Sequence, residues 1–167
     1  SSLDYIEVDP ENMLVTVGAG ARVSDVLNEL KKFNLTLSNF SSITEQQIGG
    51  WTQVAAHGTG ATLPTVEEMI VRMKLATPTE GLLTLDASHT PKLTDDLFSF
   101  AKAGLGCLGV VTEVTLQCIP ALTLREETWV TTLPELRKRH AMLLRTYRHV
   151  RYMYLPHTDQ VVVVVSN

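Results

Sequence analysis

The sequence predicts an α+β fold, a sheet covered by helices, and three observations predict it. Short segments of alternating apolar and polar residues recur along the chain. Stretches with apolar positions at helical spacing fall between them. Of the 167 residues, 44% are hydrophobic, enough to bury one sizeable core, and the length allows one domain or one domain plus part of another.

The elements follow in order. Tyr5 to Val8 alternates, Asp9-Pro10-Glu11-Asn12 carries turn residues, and Met13 to Val17 alternates again, which makes a hairpin. Ser24 is expected to cap a helix with apolar positions Val26, Leu27, Leu30 and Phe33. Thr65-Val66-Glu67-Glu68 has the form of a capping box but runs into the strand-like Met69 to Ala76, which limits it to a short helical turn. Pro78 to Gly81 turns the chain back into Leu82 to Leu85. Thr94 is expected to cap a helix from Asp95 to Ala103, stopped by Gly104, and Val110 to Ile119 is a long β-rich segment ended by Pro120.

Beyond Pro120 the pattern changes. Arg125 to Val130 suits a strand, Pro134 stands where a helix start tolerates proline, and Glu135 to Tyr147 carries many Arg and Lys on a helical background. Val150 to Leu155 and Val161 to Val165 are two further strands. An all-apolar Val run belongs inside a sheet with both faces covered, and alone it would form an exposed apolar strand edge, so its missing neighbours are expected from residues outside this chain. A boundary is therefore expected near Pro120, with residues 1–120 in one domain and 121–167 opening a second, incomplete one.

A net charge of -4 with scattered basic residues offers no footprint for nucleic acid. No apolar run approaches the roughly 20 residues that span a bilayer, and no signal pattern opens the chain. It starts at Ser1 without Met, nearly inside a strand, as expected of a processed or partial polypeptide. Cys107 and Cys118 fit neither a zinc spacing nor a secreted disulfide framework, so a reducing compartment and no metal are expected.

The chemistry is concentrated in two glycine segments. Glu45 to Ala61, EQQIGGWTQVAAHGTGA, places Gly49, Gly50, Gly58 and Gly60 around one short apolar stretch. Glycine lets backbone approach a ligand closely, so these clusters form a cradle for a flat or phosphorylated cofactor. A second cradle follows in Gly104-Leu105-Gly106-Cys107-Leu108-Gly109-Val110-Val111. Ordinary turns need a single Gly at a single special position, which favours a large cofactor. Each piece also has a plainer reading as a tight turn, and His57 taken alone specifies no ligand.

Three runs, LTLSNFSSITEQQIGGWTQVAAHGTGATLP, AGLGCLGVVTEVTLQC and HVRYMYLPHTDQVVVVVSN, together resemble the aldonolactone oxidoreductases, which have the FAD-binding fold of the vanillyl-alcohol-oxidase (PCMH) type. The match extends in order over essentially the whole chain. The resemblance implies FAD as cofactor, held by Ile48, Gly49, Gly50, His57, Gly58, Thr59 and Gly60 in the second cofactor segment. It also implies that Gly106, Gly109, Val110 and Val111 accept the ADP half. Residues 1–120 would then be part of the FAD-binding domain, its second cofactor subdomain, and residues 121–167 the start of an α+β cap or substrate domain. Family members oxidise a sugar lactone, such as L-galactono-1,4-lactone or D-arabinono-1,4-lactone, at the end of a route to ascorbate or a related acid. The branch acting on L-galactono-1,4-lactone is mitochondrial, associated with the inner membrane, and passes electrons to cytochrome c; its plant members associate with respiratory complex I during assembly.

Two positions depart from the family. Ser41, followed by Ser42, matches the position beside the flavin edge that reacts with dioxygen, which is glycine in related oxidases and alanine in plant dehydrogenases. A serine there blocks oxygen as alanine does or hydrogen-bonds the flavin, and without the family a local Ser-turn is an equal reading. Ser42 matches a polar residue near the substrate side. Cys107 stands where the family has glycine, so the loop takes an ordinary conformation there or bears strain, and a buried, inert thiol is expected. Cys118 is expected in the core. The basic run Arg137-Lys138-Arg139-His140 is expected to be a solvated helix face.

The family's first cofactor segment is expected before Ser1, and the Glu and Arg pair that acts on the lactone is expected after this chain, so no catalytic acid or base is assigned within it. A longer precursor or a companion polypeptide would supply them. Two functions follow from the resemblance: the FAD-binding portion of an aldonolactone dehydrogenase, or a non-catalytic structural subunit or remnant in a larger mitochondrial assembly.

Overall fold

The computed structural model describes residues 2–86 and 92–167, with the side chains of 92–96 outside the described set. The chain forms two compact units, Ser1–Gly58 with Pro64–Ala121, and Thr59–Leu63 with Leu122–Asn167.

In the first unit, β1 (Ile6–Asp9) and β2 (Leu14–Gly18) form the expected antiparallel hairpin, closed by Asp9 accepting from Asn12. Helix α1 (Val23–Lys31) buries Val23, Val26 and Leu30. It starts one residue before Ser24, with Arg22 at the cap and no capping side chain. The reason is tertiary: Val23 N–H donates to Gln46 O at 3.0 Å and Ser24 N–H to Thr44 O at 2.8 Å, so backbone from a later loop satisfies the open amides that a capping side chain would otherwise take. Phe33, expected on the buried face, lies past the helix end and is 43% exposed.

Next come β3 (Leu35–Thr36), α2 (Ile48–Gln53), a 3-10 turn over Val66–Met69, β4 (Ile70–Thr77), β5 (Gly81–Asp86), α3 (Lys92–Ala101), β6 (Val110–Gln117) and β7 (Ile119–Pro120). Helix α3 already includes Thr94, whose side chain lies outside the described residues, so Thr94 does not begin it. The main sheet has the order β1-β2-β6-β4-β5, and every pairing in it is antiparallel. Pairing in register puts Val17, Val114, Met73 and Leu85 in one cross-strand row on the core face, all nearly inaccessible. Trp51 and Ile48 of α2 and Phe98 of α3 belong to the same core.

The opposite face is polar. Thr16 and Thr115 hydroxyls lie 2.9 Å apart across β2 and β6. The Tyr5 hydroxyl donates to Glu113 Oε2, and Lys74 Nζ donates to the same oxygen at 3.0 Å. Burial opposes the Glu113 charge, but the hydrogen bonds from Tyr5 and Lys74 and the charges of Lys74 and Arg72 outweigh it and hold its carboxyl below the ordinary 4.5. Burial and then Glu113 itself push the Tyr5 hydroxyl up to about 12.

The second unit contains β8 (Glu126–Thr132), α4 (Leu133–Thr146), β9 (His149–Tyr154) and β10 (Gln160–Ser166). The sheet order is β8-β10-β9, so the valine run lies on the middle strand. Its edge neighbours do not come from outside the chain, contrary to the expectation from sequence: β8 and β9 flank it antiparallel, so both edges are paired within the unit. Helix α4 covers one face, where Leu136 and Leu143 pack with Val161, Val163 and Val165. Pro134 lies in its first turn, and Arg137 to His140 are exposed, as expected of a solvated face. On the other face Val130, Val162 and Met153 share a row, with Val130 and Met153 exposed.

The Glu113 carboxylate contributes stability that is present above pH 4.5 and lost as pH falls through its lowered folded value; the Tyr5 share is present below pH 10 and lost as pH rises towards about 12. Glu113→Gln is expected to cost about 1–3 kcal/mol at neutral pH. Denaturant melts across pH should show its deficit shrinking below pH 4.5; a deficit that stays constant with pH would mean that the charge is not what stabilises the site.

Candidate cofactor site

Helix α2 is positioned by its backbone. Ile48 N–H donates to Ala21 O at 2.9 Å and Gly49 N–H to Ala19 O at 2.8 Å, which satisfies its first amides without a capping side chain. A Cβ at position 49 would come within 2.9 Å of Ala19 Cβ, whereas one at position 50 would meet no heavy atom within 4 Å. The adjacent glycines therefore differ: Gly49 allows helix packing, and Gly50 leaves its backbone open. The Ile48 side chain is wholly in the core, so only its main chain is available to a ligand.

Ser41 is tied to α2. Its hydroxyl lies 3.1 Å from Gln46 Oε1 and 3.2 Å from Ile43 O as a donor, and it accepts from Trp51 Nε1 at 3.3 Å. Ser42 is exposed. His57 is exposed and its Nδ1 donates to Gly58 O at 2.9 Å. Gly58 is hemmed in by Asn39 Oδ1 and Phe40 O, so any side chain there would strike protein before it reached a ligand. Thr59 and Gly60 belong to the second unit. There Thr59 Oγ1 lies 3.2 Å from His149 Nδ1. Burial and the neighbouring Arg148 charge hold that imidazole below its ordinary 6.5, which favours the neutral ring at pH 7, and its tautomer sets which of the two atoms donates.

In the second cradle Leu105 has φ +53, Gly106 φ +75 and Gly109 φ +151. A Cβ on Gly106 would meet nothing within 4 Å, whereas on Gly109 it would collide with the Ala76 carbonyl. Cys107 takes an ordinary negative φ, and the left-handed non-glycine position is Leu105 instead. The thiol of Cys107 is exposed, which corrects the expected burial: residues 105–108 all face outward on the loop surface. Cys118 is buried as expected, and burial pushes its thiol up to about 11. Val110 is 67% exposed at the start of β6, while the Val111 side chain is 6% exposed. The sequence reading missed Gln53, which bonds the end of α2 to the loop carrying Gly106. Its signal was slight: one of two polar residues between Trp51 and Val54, significant only once burial demands partners for it.

FAD fits this arrangement in the first unit, because Gly50 and Gly106 are open where a Cβ would stand and Val110 is uncovered at a strand end. A depression on the outer sheet face, lined by Asp9, Thr16, Arg72, Asp86 and Thr115 among others, contains none of the expected cofactor residues. Among the described residues no group of three or more His, Cys, Asp or Glu could hold a metal, and no helix is long and apolar enough to cross a membrane.

Comparison with known proteins supports FAD as the cofactor. The profile of the family described as FAD binding domain matches residues 1–86, and that of D-arabinono-1,4-lactone oxidase matches residues 114–167. The mitochondrial L-galactono-1,4-lactone dehydrogenase of Brassica oleracea is 51% identical over 162 residues, 97% of this chain and 26% of that protein. The L-gulonolactone oxidase of Bos taurus is 32% identical over 97% of this chain and 36% of its own length. The chain thus spans between a quarter and about a third of the curated relatives it matches. The crystal structure of cholesterol oxidase from Brevibacterium sterolicum superposes with a TM-score of 0.85 at 22% identity, over 99% of this chain and 34% of that one. The fold is thus of the FAD-binding, vanillyl-alcohol-oxidase type.

The glycines separate under substitution. Gly50→Ala should leave stability unchanged or raise it by about 0.5–1 kcal/mol, as alanine does inside a helix, and Gly106→Ala should cost about 1–2 kcal/mol for its left-handed backbone. Gly58→Val and Gly109→Ala should lose roughly 2 kcal/mol or more, since each drives a side chain into backbone. Equilibrium unfolding of the four variants checks this; equal losses at Gly50 and Gly109 would remove the distinction between open and packed glycines.

Proposed function

The chain belongs to the family of FAD-binding domains, and from that premise we propose that it is the cofactor-holding portion of a mitochondrial aldonolactone dehydrogenase acting on a lactone such as L-galactono-1,4-lactone. What carries the reading is the order of two family matches in one chain, FAD binding over residues 1–86 and lactone oxidation over residues 114–167. The 51% identity to a plant enzyme of that name supports the substrate class. FAD, when bound, supplies the redox chemistry, and the protein holds and orients it. In this reading residues 1–120 are part of the FAD-binding domain and 121–167 begin the substrate domain. Gly50, Gly106 and the β6 backbone at Val110 and Val111 face the cofactor, while Gly49, Gly58 and Gly109 shape the surface around it. Ser41, Ser42 and His57 complete the set in the first unit.

Cytochrome c is the proposed electron acceptor and respiratory complex I the proposed assembly partner. The complex I proposal follows from the resemblance alone; the support for the acceptor lies at Ser41, whose hydroxyl is held by Trp51 and Gln46 and so keeps its side chain in the space that glycine would leave open. In the protein expressed from its complete gene, anaerobic L-galactono-1,4-lactone should bleach the flavin absorbance. Ser41→Gly should then raise the rate of flavin reoxidation by oxygen about tenfold, a change of roughly 1.4 kcal/mol in barrier, and leave lactone-dependent reduction nearly unchanged. Wild-type protein that already reacts with oxygen as fast as the variant sinks the gate. Bound flavin that no aldonolactone reduces would favour a non-catalytic structural subunit.

A further inference from the structure

We propose that Gln53 is a positioning residue that holds the Gly104–Gly109 loop in the shape that receives FAD, joining the end of α2 and the loop into one rigid part. The proposal rests on the FAD reading above. Gln53 is 9% exposed and bonds to the loop and its root three times. Its Nε2 donates to Ala101 O at 2.8 Å, its Oε1 accepts from Gly106 N–H at 3.3 Å, and its backbone O accepts from Leu105 N–H at 3.2 Å. One residue thus holds both the last turn of α3 and the two consecutive positions with left-handed backbone.

That conformation needs holding. Leu105 at φ +53 is disfavoured for any residue with a Cβ, and its side chain is 72% exposed, so packing does not compensate. The bonds to Gln53 compensate for it together with the turn bond from Cys107 N–H to Gly104 O at 2.9 Å, and they are the ones that tie the turn to the rest of the fold. They also decide how the loop meets a ligand: the Gly106 N–H is turned inward onto Gln53, so the open Cα edge of Gly106, where a Cβ would meet nothing, is the surface presented outward. A side-chain amide is the right group for this task, because it donates to one carbonyl and accepts from one amide without burying a charge.

The test uses the protein expressed from its complete gene, with hydrogen exchange of peptides spanning 104–107, flavin retained through desalting, and visible circular dichroism of the bound flavin. Gln53→Met keeps the volume and removes both side-chain bonds; exchange in 104–107 should rise about tenfold, and retained flavin should fall with an altered dichroism spectrum. Gln53→Glu can make both side-chain bonds only as the neutral acid, so its loop protection and dichroism, each compared with wild type at the same pH, should approach wild type at acidic pH and fall away as the carboxyl ionises, which a merely structural defect would not do; this variant decides the matter if the methionine variant does not fold. Faster loop exchange with wild-type flavin retention and dichroism overturns the proposal, as does a glutamate variant whose loop protection, relative to wild type at the same pH, is no better when its carboxyl is protonated than when it is ionised. Wild-type protein that retains no FAD while its 104–107 amides are protected overturns the FAD reading itself, and leaves Gln53 a contact of the fold alone.

Discussion

The seating of α2 against the segment after β2 is the contact on which the first unit depends. Ala19 N–H is bonded to Thr112 O of β6 and Ala19 O receives Gly49 N–H, so one residue links the central strand of the sheet to the helix. The approach is close enough that glycine is required at position 49. It sets Trp51 and Ile48 into the core and turns Gly50 to the open side. Trp51 then reaches Ser41, and Gln53 reaches the loop before β6. A shift of this helix would displace the core, the Ser41 network and the second glycine segment together.

Glycine therefore has two uses in this chain. At Gly49, Gly58 and Gly109 the absent Cβ is space that protein atoms occupy, so these positions serve packing. At Gly50 and Gly106 the space is empty, which is what close approach of a cofactor requires. Both uses follow from one physical fact, that glycine has no side chain, and only the neighbours tell them apart. The division explains how a surface built for a large cofactor is also a tightly packed part of the fold.

The second unit is organised by its central strand. β10 gains hydrogen bonds on both edges and apolar cover from α4 on one face, so four consecutive elements suffice to bury most of the valine run. The row through Val130, Val162 and Met153 lies on the face that α4 does not cover. The lactone-oxidase family match over residues 114–167 coincides with this unit for nearly its whole length.

What the sequence by itself determined is what neighbours along the chain encode. Alternation made the β1–β2 hairpin legible, the unbroken valine run marked the last strand, the 3.6-residue spacing of Val26 and Leu30 marked α1, and the crowding of glycines at 49–60 and 104–109 marked unusual backbone. The family resemblance, carried by whole runs, added FAD and the fold type. Only the tertiary structure decided which glycines are open, that Leu105 and not Cys107 takes the left-handed conformation, that Cys107 is exposed, and that α1 is capped by backbone near Thr44 rather than by Ser24. It also decided the partners of Gln53, which lie about 50 residues away. The physical reason is range: a helical or extended period is satisfied within a few residues, whereas space beside a Cα and a partner for a buried amide are provided by segments that meet only when the chain closes on itself.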